Sequence, residues 1–145
     1  MKKYKNPIIF ISVFLIVILT IFIVITSIYS SRQKGFKSNI RKAEEVRIRS
    51  GNTGEDIVLS KEDIEKLASK IEKVNFEYVL YIPHSKQRGG WSYEILYRVS
   101  DNDWWSMVFG GGYIQITHNN DWKYYQYNRD LDEYVGAMYK ELGGK

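Results

Sequence analysis

The chain is 145 residues long, 44% of them hydrophobic and 15% aromatic, with a formal net charge of +4 and no cysteine. That length leaves room for one domain beside an apolar segment, and the missing cysteine excludes disulfide staples, a thiol nucleophile and lipid attachment through sulfur. The basic balance is uneven: residues 1–49 hold ten Lys or Arg and two acids, residues 50–145 eleven and fifteen. The globular part is therefore net negative, which argues against a nucleic-acid partner.

Residues 8–28 read IIFISVFLIVILTIFIVITSI, with no charge between Lys5 and Arg32. As a helix this run is about 31 Å long, the thickness of a bilayer's hydrocarbon core. Its backbone polar groups can be satisfied in lipid only as a helix, despite the many β-branched residues. A cleaved signal peptide would have a shorter apolar run ending in a pair of small residues. The exit Thr26-Ser27-Ile28-Tyr29-Ser30-Ser31 lacks that spacing, so an uncleaved signal anchor is expected. The expected division is a cytoplasmic tail over 1–7, a transmembrane anchor over 8–29, a basic juxtamembrane stalk over 30–44 and an extracytoplasmic domain over 45–145. Lys2, Lys3 and Lys5 before the apolar run look like an export signal, although Arg32, Lys34, Lys37, Arg41, Lys42, Arg47 and Arg49 on the far flank count the other way. The stalk's cations suit anionic headgroups, which makes membrane lipid an expected partner, and a plain solvated stalk is the other reading.

Beyond the stalk, alternating Glu45–Ser50 and short Asp56–Leu59 flank the turn residues Gly51, Asn52, Thr53 and Gly54 and read as a hairpin. Ser60 and Asp63 form a capping box for a helix over Lys61–Lys73, with Ile64, Leu67, Ala68, Ile71 and Val74 on one face. Period two follows: Phe76, Tyr78, Leu80 and Ile82 share a face until Pro83, and Trp91, Tyr93, Ile95, Tyr97 and Val99 share another. Turn signals at 101–103, 110–112 and 119–121 then separate WWSMVF, YIQIT and WKYYQY. Asp130 with Glu133 opens a last helix that carries Leu131, Val135, Met138 and Leu142 inward and ends at Gly143. The fold class is α+β: a hairpin, a helix, a four-stranded antiparallel meander and a C-terminal helix, in two layers.

The runs GNTGEDIVLSKEDIEKLASKI, GGWSYEILYRVSDNDWW, GGGYIQIT and WKYYQY, over about residues 44–142, resemble the small extracytoplasmic domains of uncharacterised membrane-anchored proteins and lipoproteins of low-GC Gram-positive bacteria. The resemblance implies a location and an architecture and brings no site. Those proteins often carry a lipobox cysteine, which this chain lacks.

Catalytic chemistry is not legible. His84 and His118 have no second histidine or carboxylate at ligand or acid–base spacing, and the pairs His118/Asp121 and Asp101/Asp103 read as turns. Gly110–Gly112 lacks the Lys and Ser/Thr of a phosphate loop. No catalytic, cofactor or metal residue is expected, and no enzyme. The excess is aromatic. Trp104, Tyr113, Tyr125 and Tyr127 fall out of phase with their strands' inward residues and make a possible binding face for a cell-wall glycan or another envelope protein. The other reading is that these rings fill a small core and pair across strands. The functional expectation is a membrane-anchored binding or interaction module; an accessory subunit of a membrane complex and a cell-envelope hydrolase are the alternatives. Retention of the anchor is testable by mass: the membrane-bound chain should keep its full 17.1 kDa, and a soluble species starting near Ser30 would refute it.

Overall fold

The computed structural model describes residues 7–79, 90–126 and 129–145. Helix α1 runs without interruption over Pro7–Asn39, 33 residues, and tightens into a 3-10 turn at Ile40–Lys42. At 1.5 Å per residue it is about 50 Å long, well beyond a bilayer core. Its first part is exposed on all sides in this chain, Ile9 to Val24 included, as an apolar helix with no protein around it would be.

The expected stalk over 30–44 does not exist as a separate segment. Tyr29, Arg32 and Gly35 lie against the sheet, and Phe36 and Ile40 are 0% exposed in the core. A basic composition had hidden an i, i+4 apolar pair at Phe36 and Ile40 that continues the helix into the domain. Several of the basic residues are engaged within the fold. Arg32 pairs with Asp121, Arg41 with Glu65 and Glu72, and the Lys37 amine donates to the Val74 carbonyl at 2.5 Å.

The strands are β1 (Glu45–Ser50), β2 (Asp56–Val58), β3 (Glu77–Val79), β4 (Tyr93–Ser100), β5 (Asp103–Gly110), β6 (Tyr113–His118) and β7 (Asp121–Gln126). They form one antiparallel sheet of seven strands in the order β2-β1-β4-β5-β6-β7-β3. The four-stranded meander is thus corrected. β4 to β7 do meander, but β1 of the hairpin pairs along β4 from Glu45↔Arg98 to Ser50↔Tyr93, and β3 closes the other edge on β7 through Tyr78↔Tyr125. Both joins link segments far apart in sequence, which local turn signals cannot encode. The part of the expected strand at Leu80 and Ile82 lies outside the described residues.

Turn chemistry explains two of the hairpins. Gly111 and Gly112 take φ of 60° and 82° between the paired Gly110 and Tyr113, the double positive φ that glycine allows without cost in a two-residue turn. Asn119 takes φ 52° between His118 and Asp121, and Asn is among the few other residues tolerated there.

Helices α1, α2 (Lys61–Lys73) and α3 (Asp130–Glu141) all cover one face of the sheet. The Ser60 hydroxyl accepts from the Asp63 amide at 3.2 Å and starts α2 as the capping pattern predicts, and Leu67, Ala68 and Ile71 are buried. α3 differs at both ends: its N-cap is Arg129 with no side-chain bond, and Leu142 is 37% exposed while Tyr139 is buried instead. Gly136 is required in α3, because a Cβ there would stand 2.9 Å from the Tyr93 ring. Two sheet tyrosines tie α1 down: the Tyr97 hydroxyl donates to the Phe36 carbonyl and the Tyr125 hydroxyl to the Tyr29 carbonyl, both at 2.8 Å. Phe36 lies in the last turn of α1, so Tyr97 bonds the helix just before it tightens into the 3-10 turn. Phe36→Ala should cost about 3–5 kcal/mol by lost burial and a cavity, read by denaturant unfolding of the domain, whereas Ile9→Ala should leave that transition unchanged.

Candidate binding face

The helices leave the opposite face of the sheet uncovered among the described residues, and strand pairing sets its pattern. One row across the strands reads Val58, Arg47, Leu96, Ser106, Thr117, Trp122; the next reads Asp56, Arg49, Glu94, Val108, Gln115, Tyr124, Val79. The face therefore has two halves. Over β2, β1 and β4 it is a ladder of ion pairs: Arg47 with Glu45 at 2.6 Å, Arg49 with Asp56 at 2.6 Å and with Glu94 at 3.4 Å. Over β5 to β7 it is a floor of Ser106, Thr117 and Gln115 with Trp104, Tyr113, Trp122 and Tyr124 around it.

Trp122 is 52% exposed and Trp104 is 37% exposed. Trp122 and Tyr124 lean together with ring centroids 5.2 Å apart, and the Arg98 guanidinium lies 5.6 Å from the Trp104 centroid. At about 4.8 Å between strands, three strands span about 10 Å, wide enough for one sugar ring or one extended peptide strand. Exposed indole and phenol faces over hydroxyl and amide groups can stack on a sugar or grip a peptide while offering hydrogen bonds.

Of the four rings picked from the sequence, Trp104 and Tyr113 lie on this outer face. Tyr125 does not: it is 0% exposed on the inner face, edge-on to Tyr29 at 5.5 Å and near Phe76 at 6.2 Å. Burial raises its phenol pKa above the ordinary value. Tyr127 lies outside the described residues. Sequence reasoning had β7 out of phase by one residue and so missed Trp122 and Tyr124. The run Trp-Lys-Tyr-Tyr-Gln-Tyr has aromatics in both phases, and the signal that separates them is the turn: closing at His118 and Asp121 sets Tyr125 opposite the inward Ile114.

His118 has a partner that spacing did not reveal. Its Nε2 lies 2.8 Å from Asp103 Oδ1, and its ring stacks on Trp105 with centroids 4.0 Å apart. Asp101 faces Arg98 instead, at 3.5 Å. Among the described residues no three His, Asp or Glu side chains are grouped to hold a metal. Hydrogen bonds from Arg49, with Arg47 adding to them, hold the Asp56 carboxyl below the ordinary carboxylate range, and Lys123 and Arg32 do the same for Asp121.

Comparison with family models finds no match, and comparison with curated proteins finds none. Among solved structures the chain is similar to a protein of Clostridium perfringens, a low-GC Gram-positive bacterium, described as a "Putative Lipoprotein". The TM-score is 0.54 at 11% identity, covering 74% of this chain and 93% of that one. The likeness is one of fold.

Two outcomes follow. Trp122→Ala and Trp104→Ala should each change unfolding free energy by less than about 1 kcal/mol, while Tyr125→Ala should cost about 3–5 kcal/mol, all read by urea unfolding. Because Asp56 and Asp121 have depressed folded-state pKa values, their contribution is present above the unfolded carboxylate pKa of about 4 and is lost as pH falls below it. Stability should fall in that acid range, and less steeply in Asp56→Asn, when melting is followed across pH.

Proposed function

We propose that this chain is a single-pass membrane-anchored protein whose folded domain stands on the outer side of a bacterial plasma membrane and binds rather than catalyses. The observation that carries the reading is the continuity of α1: an exposed apolar run of bilayer length leads with no linker into a helix whose Phe36 and Ile40 are fully buried in the domain. Tyr29, at the junction, is bonded from both sides, donating to the Val79 carbonyl at 3.2 Å and accepting from Tyr125. Cleavage near Ser30 would remove a piece of the folded domain, which supports an anchor over a discarded signal peptide. Likeness in fold to a protein described as a lipoprotein supports an envelope location. The aromatic half of the outer face, Trp104, Tyr113, Trp122 and Tyr124, is the surface we assign to binding, with a cell-wall glycan or an envelope protein as its partner.

The same continuity favours a second reading, an accessory subunit of a membrane complex, since any tilt or rotation of the span turns the domain with it. Exchanging residues 8–24 for an unrelated apolar sequence separates the two. Partner capture by crosslinking in intact membranes should survive the exchange if the domain face binds and disappear if the span does. Location is checked by fusing alkaline phosphatase after Lys145: activity is the expected result, and an inactive fusion would put the domain inside and remove any role at the cell wall.

A further inference from the structure

Where α1 meets the sheet, a cavity of about 520 Å³ opens between Ser27, Ser31, Arg32 and Gly35 of the helix and Trp105 and His118 of β5 and β6. We infer that it is a binding site for the headgroup of one phospholipid, whose phosphodiester oxygens are taken by Arg32 against the wall formed by Trp105. This rests on the membrane-anchor reading above and gives that anchor a specific lipid contact.

Depth is the first argument. The apolar run ends at Ile28, and Arg32, four residues further, lies about 6 Å along the helix axis. The polar layer of a bilayer leaflet is about 5–7 Å thick, so the cavity is level with lipid phosphates. Ile28 and Val24, one and two turns below Arg32, continue the same helical stripe downward, where acyl chains would run.

Chemistry is the second. The Arg32 side chain is only 12% exposed and is held in place by Asp121, by the His118 carbonyl at 3.4 Å and by the face of Trp105 at 5.7 Å. A guanidinium has five donor hydrogens in a planar fork suited to phosphate oxygens, and these contacts leave donors over. Trp105 is 5% exposed, and its Nε1 has no hydrogen-bond partner among the described residues. That nitrogen is itself closed to solvent, so the indole serves the site as a wall rather than as a donor. Gly35 makes room for the arrangement, since a Cβ there would stand 2.6 Å from Trp105 Cη2.

Charge sets the selectivity. Around the site Asp121 is paired with both Arg32 and Lys123, and Asp103 with His118, so opposite charges meet there and the site reads phosphodiester oxygens, common to all phospholipids, rather than net negative charge. Inorganic phosphate offers the same oxygens without the chains that follow the stripe below.

The test uses the full chain, extracted from membranes in mild detergent, exchanged into micelles with phosphatidylcholine or phosphatidylglycerol, and weighed by native mass spectrometry. One phospholipid per chain should be retained with either headgroup and should resist an excess of inorganic phosphate. Retention should fall about tenfold in Arg32→Gln and in Ser31→Phe, the latter filling the cavity while leaving the Arg32–Asp121 pair. It should be unchanged in Lys34→Gln, whose lysine is exposed. No retained lipid, equal retention in Ser31→Phe, equal loss in Lys34→Gln or displacement by inorganic phosphate would each overturn the site. Carbonate extraction of the same membranes keeps the two claims apart: release of the chain overturns the anchor, whereas an integral chain that carries no lipid overturns only the site.

Discussion

Everything in this fold depends on the seating of the last three turns of α1 on the inner face of the sheet. That face carries Ile95, Tyr97, Trp105, Met107, Ile114, Ile116 and Tyr125, all buried. α3 packs over β1 and β4, α2 bridges the two flanking helices, and the area over β5 to β7 is left to α1. Without Phe36, Ile40 and Tyr29 in place, large rings would face water and the hydroxyls of Tyr97 and Tyr125 would lose the helix carbonyls they bond. A cost of several kcal/mol there is a large share of the stability of a domain this size. The apolar run and the core are therefore joined by one uninterrupted helix with no linker between them.

The glycine at position 35 shows how that seating is achieved. In a helix interior glycine is unfavourable by about 1 kcal/mol relative to alanine, and here it lets the helix backbone lie against the Trp105 indole where a methyl group would collide. Close approach in turn lets Arg32 reach both the indole face and Asp121. A local penalty is offset by aromatic packing and a charge-assisted contact that exist only in the assembled fold.

The outer face follows from the same asymmetry. With the described helices on one side, alternation sends Arg47, Arg49 and Glu94 outward in one half and Trp122 and Tyr124 outward in the other. The edge strand β2 is three residues long and carries Asp56. A short, charged edge discourages pairing with another chain, which favours contact through the sheet's face, where the aromatic half offers area and the charged half is already self-paired.

By itself the sequence determined the elements whose signals are local. The uncharged run to Ile28 had to be a helix of bilayer length, Ser60 and Asp63 had to start α2, and the Gly111-Gly112 turn had to join two strands, because each rests on residues within a few positions of one another. Alternation likewise placed Ile95 and Tyr97 inward. Only the tertiary structure decided where α1 stops being a span and becomes core, that β1 and β3 complete one sheet, and which phase of Trp122-Lys123-Tyr124-Tyr125 faces in. The contacts that settle those questions, Tyr125 on the Tyr29 carbonyl, Tyr97 on Phe36, Arg47 opposite Leu96, join residues 96, 61 and 49 positions apart. Periodicity fixes which residues share a face, but the free energy that selects the face comes from burial against partners distant in the chain, and that exists only once the chain has folded.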